Sequence, residues 1–162
     1  MTRAFLSLGS NLGDRAGYLR AAIRAIGLGP RTEVRGVSKV YETVPVEVED
    51  EQPDYLNCVV EVECGLPAVE LLRFCQGVEE ALGREGKEER GPRTVDVDVL
   101  LFGDEEREAG DLVLPHRGIL RAFNLAGLAD LDAAAYIPHH GRVGKLLQSA
   151  DLGGVATSAE RI

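Results

Sequence analysis

The chain has few cysteines and lysines, no tryptophan and no long apolar run among its 162 residues. Because no apolar run approaches the roughly 20 residues that span a bilayer, the sequence predicts no membrane helix. The three cysteines show no CxxC spacing and lie among apolar residues, which indicates small core side chains and disfavours a zinc or redox site. They are Cys58, Cys64 and Cys75.

Positive charge is also scarce. Lys and Arg number 18 against 27 Asp and Glu, a formal net charge of -9. Since phosphate backbones and acidic membranes repel such a chain, we expect no nucleic-acid partner and no membrane partner. The N-terminal apolar segment is too short for the core of a signal peptide. We therefore expect one cytoplasmic domain over residues 1–162, as a monomer or weak homo-oligomer.

Hydrophobic periodicity predicts alternating strands and helices. Asp14 and Pro67 stand where helices begin, as an N-cap and at an early helical position. The predicted strands cover residues 3–8, 34–41, 55–64 and 93–102, the helices run from 14 to about 27 and from 67 to about 82, and exposed loops cover 42–54 and 84–92.

This βαββαβ order is that of the ferredoxin-like α+β fold. We expect a mainly antiparallel sheet with both helices on one face, which leaves the other face free for a site. Residues after 111 add one or two helices and a short strand as C-terminal additions.

The strand over residues 93–102 carries the strongest chemical signal. Every second residue from Val95 to Leu101 is apolar, so Asp96 and Asp98 point to the same side, about 6–7 Å apart at the backbone. Two carboxylates this close repel each other unless a cation lies between them, and Mg²⁺ takes oxygen ligands. Aspartate also has a low strand propensity. We interpret the pair as a metal site, against the alternative of a solvated strand face.

The loop before this strand carries Arg84, Lys87 and Arg90, and Arg93 stands at the strand entrance. A cationic loop beside metal-binding carboxylates suits polyphosphate transfer, in which positive charge stabilises the transition state. Arg93 can grip a phosphate through two hydrogen bonds. The alternative is a mobile, solvated loop, because glutamates are interleaved with these cations.

Three further features have two interpretations each. His116 is either a structural residue or a hydrogen-bond donor to phosphate. Residues 9–11 form either an anion-binding helix entrance or an ordinary capped turn. Asn57, on a strand among valines, either meets the edge of a heterocycle or ties down the neighbouring loop.

Four segments in order resemble the 6-hydroxymethyl-7,8-dihydropterin pyrophosphokinase family of folate biosynthesis. They are SLGSNLGD at 7–14, QPDYLN at 52–57, GPRTVDVDVLLFG at 91–103 and the pair Pro115-His116. The GPRTxDxD pattern is highly specific. The resemblance implies a ferredoxin-like fold and transfer of pyrophosphate from ATP to the pterin hydroxymethyl group, with AMP as the other product.

The resemblance also implies residue roles. Catalysis would depend on Arg93, Asp96 and Asp98, and the two aspartates would bind two Mg²⁺ ions. ATP, the co-substrate, would contact Gln76, Arg84, Lys87, Arg93, Val99, His116 and Arg121. The small-molecule pterin would contact Thr43, Pro45, Tyr55, Asn57 and Phe123.

Three positions depart from the family pattern. Gly86 and Arg90 replace a common arginine and tryptophan, and Asp111 stands where some members have a basic residue. The loop is therefore less cationic and lacks an aromatic cover. Two rival functions remain open at this point: another two-metal nucleotidyl transferase, and a regulatory module that binds nucleotide or pterin without turnover.

Overall fold

The structure, a computed structural model, describes residues 1–45, 53–83 and 94–162. Its main elements are β1 (Thr2–Ser10), α1 (Arg15–Gly27), β2 (Thr32–Val37), β3 (Tyr41–Thr43), β4 (Tyr55–Cys64), α2 (Ala68–Ala81) and β5 (Asp96–Phe102). The C-terminal part adds β6 (Arg107–Ala109), β7 (Leu112–Leu114), α3 (Ala122–Asp132), β8 (Tyr136–Ile137), β9 (Gly141–Arg142), α4 (Val143–Gln148) and β10 (Val155–Thr157).

One antiparallel sheet runs in the order β10-β3-β4-β1-β5, and β2 pairs with β4 beside β3. This is the strand order of a ferredoxin-like βαββαβ core, so the predicted α+β fold is confirmed. The central strand β1 pairs with β4 on one side and with β5 on the other. β1 extends through Ser10, so Gly9 and Ser10 lie in the strand and the predicted turn there begins later.

The predicted strand over 34–41 is wrong, because it is two short strands, and the second one continues through buried Thr43 into the predicted exposed loop. β2 and β3 both pair with β4, and Ser38 lies between them. The backbone N–H of Ser38 donates to the Val59 carbonyl, and the Val59 N–H donates to Ser38 Oγ, both at 2.8 Å. The serine hydroxyl thus accepts a hydrogen bond from the Val59 N–H, which the interruption between β2 and β3 would otherwise leave unpaired.

Helices α1 and α2 pack on one face of the sheet, as predicted. The core between them includes Leu6, Leu19 and Leu71, and all three cysteines are buried in it. Burial raises the pKa of the Cys58 thiol to about 12. Helix α1 begins as expected, because the Asp14 carboxylate accepts a hydrogen bond from Gly17 N at 3.0 Å.

The second face of the sheet is not entirely free. α3 covers part of it and packs Leu128 near Phe5 and Val59. The pairing of β1 with β5 slips between Phe5 and Leu6. Leu101, predicted to share a face with the valines, therefore lies in this second core. Within the described ranges, no helix is both long and apolar enough to cross a bilayer.

Candidate active site

Three residues on adjacent strands form a row across the second face of the sheet. Gly9 in β1 pairs with Asn57 in β4 on one side and with Asp96 in β5 on the other. Neighbouring strands lie about 4.8 Å apart, so the α-carbons of Asn57 and Asp96 are about 10 Å apart. A Cβ on Gly9 would lie 2.8 Å from Asn57 Oδ1. The row therefore forms a slot with an amide at one end and a carboxylate at the other, and Gly9 between them contributes no side chain of its own.

The two aspartates face the same side, as the sequence predicts. Asp96 pairs with Gly9 and Asp98 with Ser7, and both side chains are half-buried between fully buried valines. The bulge lies beyond them, so it leaves their common orientation intact. Two carboxylates supply the hard oxygen donors that Mg²⁺ prefers. Within residues 1–45, 53–83 and 94–162, no cluster of three or more His, Cys, Asp or Glu side chains could hold a metal ion.

Glu79 fixes the edge strand between the two aspartates. This α2 carboxylate is only 5% exposed, and its Oε2 accepts a hydrogen bond from Val97 N at 2.9 Å. Sequence analysis missed this contact. The available signal is an acidic residue four positions after buried Cys75, on the apolar side of the helix.

His116 lies beside Asp98. Its Nδ1 accepts a hydrogen bond from Gly118 N at 3.0 Å, so the proton of the neutral ring is on Nε2. That Nε2 lies 3.8 Å from Asp98 Oδ1, which is beyond hydrogen-bonding distance. The ring therefore presents a donor on the carboxylate side of the site.

Two further residues anchor the loop that carries His116. Ser7 Oγ donates to Asn124 Oδ1 at 2.8 Å, and Asn124 Nδ2 donates to the Gly118 carbonyl at 2.9 Å. Both side chains are buried. Sequence analysis missed them, although Ser7 lies two residues before Gly9 on the same face and Asn124 is a polar residue in an apolar helix.

A cleft, called here the α2–β5 cleft, lies between α2, β5 and β7. Its lining includes Gln76, Asp98, Val99 and His116. Three of the residues predicted to bind ATP are therefore together, beside one of the predicted metal ligands. Arg121 is exposed at the N-cap of α3.

At the rim of the cleft, Gln76 belongs to a hydrogen-bonded cluster with Arg73 and Asp111. Arg73 donates to both Asp111 oxygens at 2.7 and 3.1 Å and to Gln76 Oε1 at 2.9 Å. Gln76 Nε2 in turn donates to Asp111 Oδ2 at 2.9 Å. The hydrogen bonds from Arg73 and Gln76 lower the Asp111 pKa to about 2. Asp111 is thus paired with a cation, Arg73.

Three of the residues predicted to bind the pterin, Thr43, Tyr55 and Asn57, lie together at the other end of the row. Asn57 is buried, and its Nδ2 donates to Thr43 Oγ1 at 2.7 Å. Tyr55 pairs with Thr43, and a Cβ on Gly9 would lie 3.4 Å from its ring. The amide thus ties down β3, while Asn57 Oδ1 borders the slot. Phe123 and Pro45 are half-buried at the start of α3 and after β3.

Five residues singled out in the sequence lie outside the described ranges. They are Arg84, Gly86, Lys87, Arg90 and Arg93.

Paired carboxylates beside an open cleft suit the metal-assisted transfer of phosphate groups. Residues 5–133 match the family described as 7,8-dihydro-6-hydroxymethylpterin-pyrophosphokinase (HPPK), and the chain belongs to this family.

Curated relatives carry the same description. The chain is 44% identical over 129 residues to the 2-amino-4-hydroxy-6-hydroxymethyldihydropteridine pyrophosphokinase of Bacillus subtilis, covering 79% of this chain and 77% of the relative. It is 34% identical over 154 residues to the protein of that name from Pseudomonas aeruginosa, covering 94% of each.

Solved structures show the same fold. The HPPK-DHPS protein of Plasmodium falciparum has a TM-score of 0.71 at 14% identity, covering 91% of this chain and 45% of that chain. An HPPK-DHPS chain in complex with substrates has a TM-score of 0.72 at 11% identity, covering 91% and 43%. The chain thus spans less than half of these solved chains, and at such identities the likeness concerns the fold alone.

Family membership confirms the predicted activity. The chain is a folate-biosynthesis enzyme that transfers pyrophosphate from ATP to hydroxymethyldihydropterin. ATP and the pterin are its small-molecule substrates.

Proposed function

We propose that the Asn57–Gly9–Asp96 row holds the pterin and that ATP occupies the α2–β5 cleft. The row carries the proposal, because it sets an amide and a carboxylate about 10 Å apart, two strand spacings. A bicyclic heterocycle with a hydroxymethyl arm fits this span. Its amide-like edge meets Asn57, and its hydroxyl reaches Asp96. Tyr55, Thr43, Pro45 and Phe123 border the ring.

We propose Asp96 and Asp98 as the holders of two Mg²⁺ ions. Both are partly exposed carboxylates on one side of a strand that Glu79 fixes from behind. When bound, these ions supply charge neutralisation for the phosphates and lower the pKa of the pterin hydroxyl. In this proposal, ATP extends from Gln76 and Val99 in the cleft toward the two aspartates.

In this proposal, the residues around the ATP phosphates orient them and neutralise their negative charge. The pterin hydroxyl oxygen attacks the β-phosphorus in line and releases its proton to solvent as the new O–P bond forms. The bond from that phosphorus to the oxygen bridging it to the α-phosphorus breaks, and AMP leaves with that oxygen. His116 donates its Nε2–H to a phosphate oxygen, and Arg121 adds positive charge from the start of α3. Arg93, Arg84 and Lys87 have the same neutralising role in the proposal. No protein nucleophile is needed, because the chemistry depends on positioning and charge.

We propose that residues 1–162 form one domain. The C-terminal β10 joins the same sheet as the N-terminal β1, which supports this assignment. The cytoplasmic location, the oligomeric state and the absence of a nucleic-acid partner stay predictions.

AMP formation from ATP tests the proposal. Wild-type enzyme is assayed with pterin and Mg²⁺, each omitted in turn. We expect Asp96→Asn and Asp98→Asn to lower turnover by two or more orders of magnitude with little change in melting temperature, because the carboxylate charge serves the reaction and not the fold. Asp104→Asn, an exposed aspartate just beyond β5, is the matched control.

Three results would contradict the assignment. AMP formation without pterin would show that the pterin is not the acceptor. Full activity in both variants would show that the aspartates do not bind the catalytic metal ions. Variants that do not fold would show that the pair has a structural role.

A further inference from the structure

The C-terminal strand β10 lies outside residues 5–133, the part of the chain that matches the family. It nevertheless extends the central sheet beside the proposed pterin site. β10 pairs antiparallel with β3, and Val155 lies opposite Thr43. Thr43 is the residue whose Oγ1 accepts the Asn57 amide. A segment outside the matched region thus adjoins the hydrogen bond that orients Asn57.

Backbone hydrogen bonds join the two strands on both sides of this point. Val44 N donates to the Gly154 carbonyl at 3.1 Å, and Ser158 N donates to the Val40 carbonyl at 2.8 Å. Ala156 lies midway between Gly154 and Ser158 on the C-terminal segment, and it is opposite Glu42. Hydrogen-bonded pairs alternate in an antiparallel ladder, so Ala156 and Glu42 form such a pair.

The tail beyond β10 is fixed to the first helix. Arg20 in α1 donates from Nη2 and Nε to the Arg161 carbonyl at 3.0 and 3.2 Å. Ile162 packs against the core that α1 and α2 share. Because the tail is attached beyond its strand as well, β10 is held in place when it pairs with β3.

On the other side, β3 is fixed through Glu42. Arg15 Nη1 contacts Glu42 Oε2 at 2.8 Å and the Asp54 carbonyl at 2.9 Å, which joins β3 to the residue before β4. Thr43 thus lies on a strand that has partners on both sides. A side chain that must hold a buried amide at one angle needs a fixed backbone beneath it.

We propose that β10 is a brace that positions Thr43, and through it Asn57, for the pterin. Ala156 is then a positioning residue, acting through its backbone N–H. This inference rests on the pterin site proposed above. It deepens that proposal by assigning a role in substrate affinity to residues 154–158, which the family match does not include.

Substitutions on β10 can distinguish the effect of the backbone hydrogen bonds to β3 from the effect of the β10 side chains. Ala156→Pro removes the N–H that pairs with Glu42. Thr157→Pro is the matched control, because Thr157 lies in the non-hydrogen-bonded position opposite Tyr41 and its N–H points away from β3. Ala156→Gly retains the N–H and controls for the lost methyl group.

The measurements are kcat, the KM values for pterin and ATP, and circular dichroism. We expect Ala156→Pro to raise the pterin KM by about 2- to 10-fold, the equivalent of one backbone hydrogen bond. We expect kcat and the ATP KM to change less than 2-fold. Thr157→Pro and Ala156→Gly are expected to match wild type in all three. A purely structural strand would instead lower the folded fraction and leave the KM values of the folded enzyme alone.

The outcomes are distinct. A pterin KM for Ala156→Pro equal to that of Thr157→Pro overturns the brace, and so does an equal rise in both KM values. If Ala156→Pro does not fold, Gly154→Ala replaces it, because Gly154 has a φ of 79° that strains a side chain and its carbonyl receives Val44 N. Asn57→Ala separates the two proposals: an unchanged pterin KM there refutes the pterin site itself, whereas a raised KM there with a wild-type Gly154→Ala or Ala156→Pro refutes only the brace.

Discussion

Replacing Gly9 by alanine tests the proposed slot with the smallest possible change. A Cβ at this position would lie 2.8 Å from Asn57 Oδ1 and 3.4 Å from the Tyr55 ring. The first separation is well inside the roughly 3.5 Å at which non-bonded atoms attract. Asn57 must therefore move, since a backbone atom in the central strand cannot.

The hydrogen bond from Asn57 sets the size of the effect. Its Nδ2 donates to Thr43 Oγ1 at 2.7 Å, so a rotated amide loses this bond in a buried place. Leaving such a group unsatisfied costs about 1–3 kcal/mol of folding free energy. The pterin then loses its Asn57 contact as well, about 1–1.5 kcal/mol, which corresponds to roughly a tenfold weaker affinity.

The assay is the pterin KM and the ATP KM of Gly9→Ala, with a thermal melt. We expect the pterin KM to rise about tenfold, the ATP KM to stay within about twofold, and the melting temperature to fall by a few degrees. Gly27→Ala is the control, because its Cβ would lie an ordinary 3.6 Å from Val34 Cγ2 and the helical backbone tolerates it. An unchanged pterin KM in a folded Gly9→Ala enzyme would refute the slot.

Two further predictions concern charged and titrating groups. Asp111→Asn should raise the ATP KM about 2- to 5-fold, since Gln76 loses its charged partner, and the reversed pair Arg73→Asp with Asp111→Arg should restore most of it in the same assay. Burial first, and then the hydrogen bond to Asp130, raises the Tyr41 pKa above its usual value near 10. Its contribution to folding is therefore complete below about pH 10 and is lost as pH rises above it. Tyr41→Phe should lower the unfolding free energy in urea by about 1–3 kcal/mol at pH 8, with a smaller loss at pH 11; an equal loss at both would contradict this.

The aspartate pair could be predicted from the sequence because its geometry is local. Side chains two apart on a strand share a face whatever the strand pairs with, and Asp96 and Asp98 do so. Leu101 fails the same rule, since the ladder slips where β5 meets Phe5 and Leu6. A bulge of this kind depends on both paired strands, so the hydrophobic periodicity of one strand cannot predict it.

The pterin end of the proposed site could not be predicted in the same way, because it depends on the pairing register of β1 and β4. Asn57 is a single polar residue on a strand, and its meaning comes from lying beside Gly9, 48 positions away in the chain. β10 has only three residues and no strong alternation, so its pairing with β3 comes from tertiary contacts and not from local preference.

The charges of the described residues bear on how ATP would bind at the proposed site. In the proposed site, Asp96 and Asp98 lie on one side of β5, and Glu79 binds the strand from behind through Val97 N. Asp111 would add a further negative charge, but Arg73 holds it in a doubly hydrogen-bonded ion pair at the rim. The pair is electrically neutral overall, so in the proposed site it orients Gln76 without attracting phosphate. In the proposed arrangement, the attraction for a polyanion comes from magnesium held by the two aspartates and from the cationic residues that precede them in the sequence, Arg84, Lys87, Arg90 and Arg93.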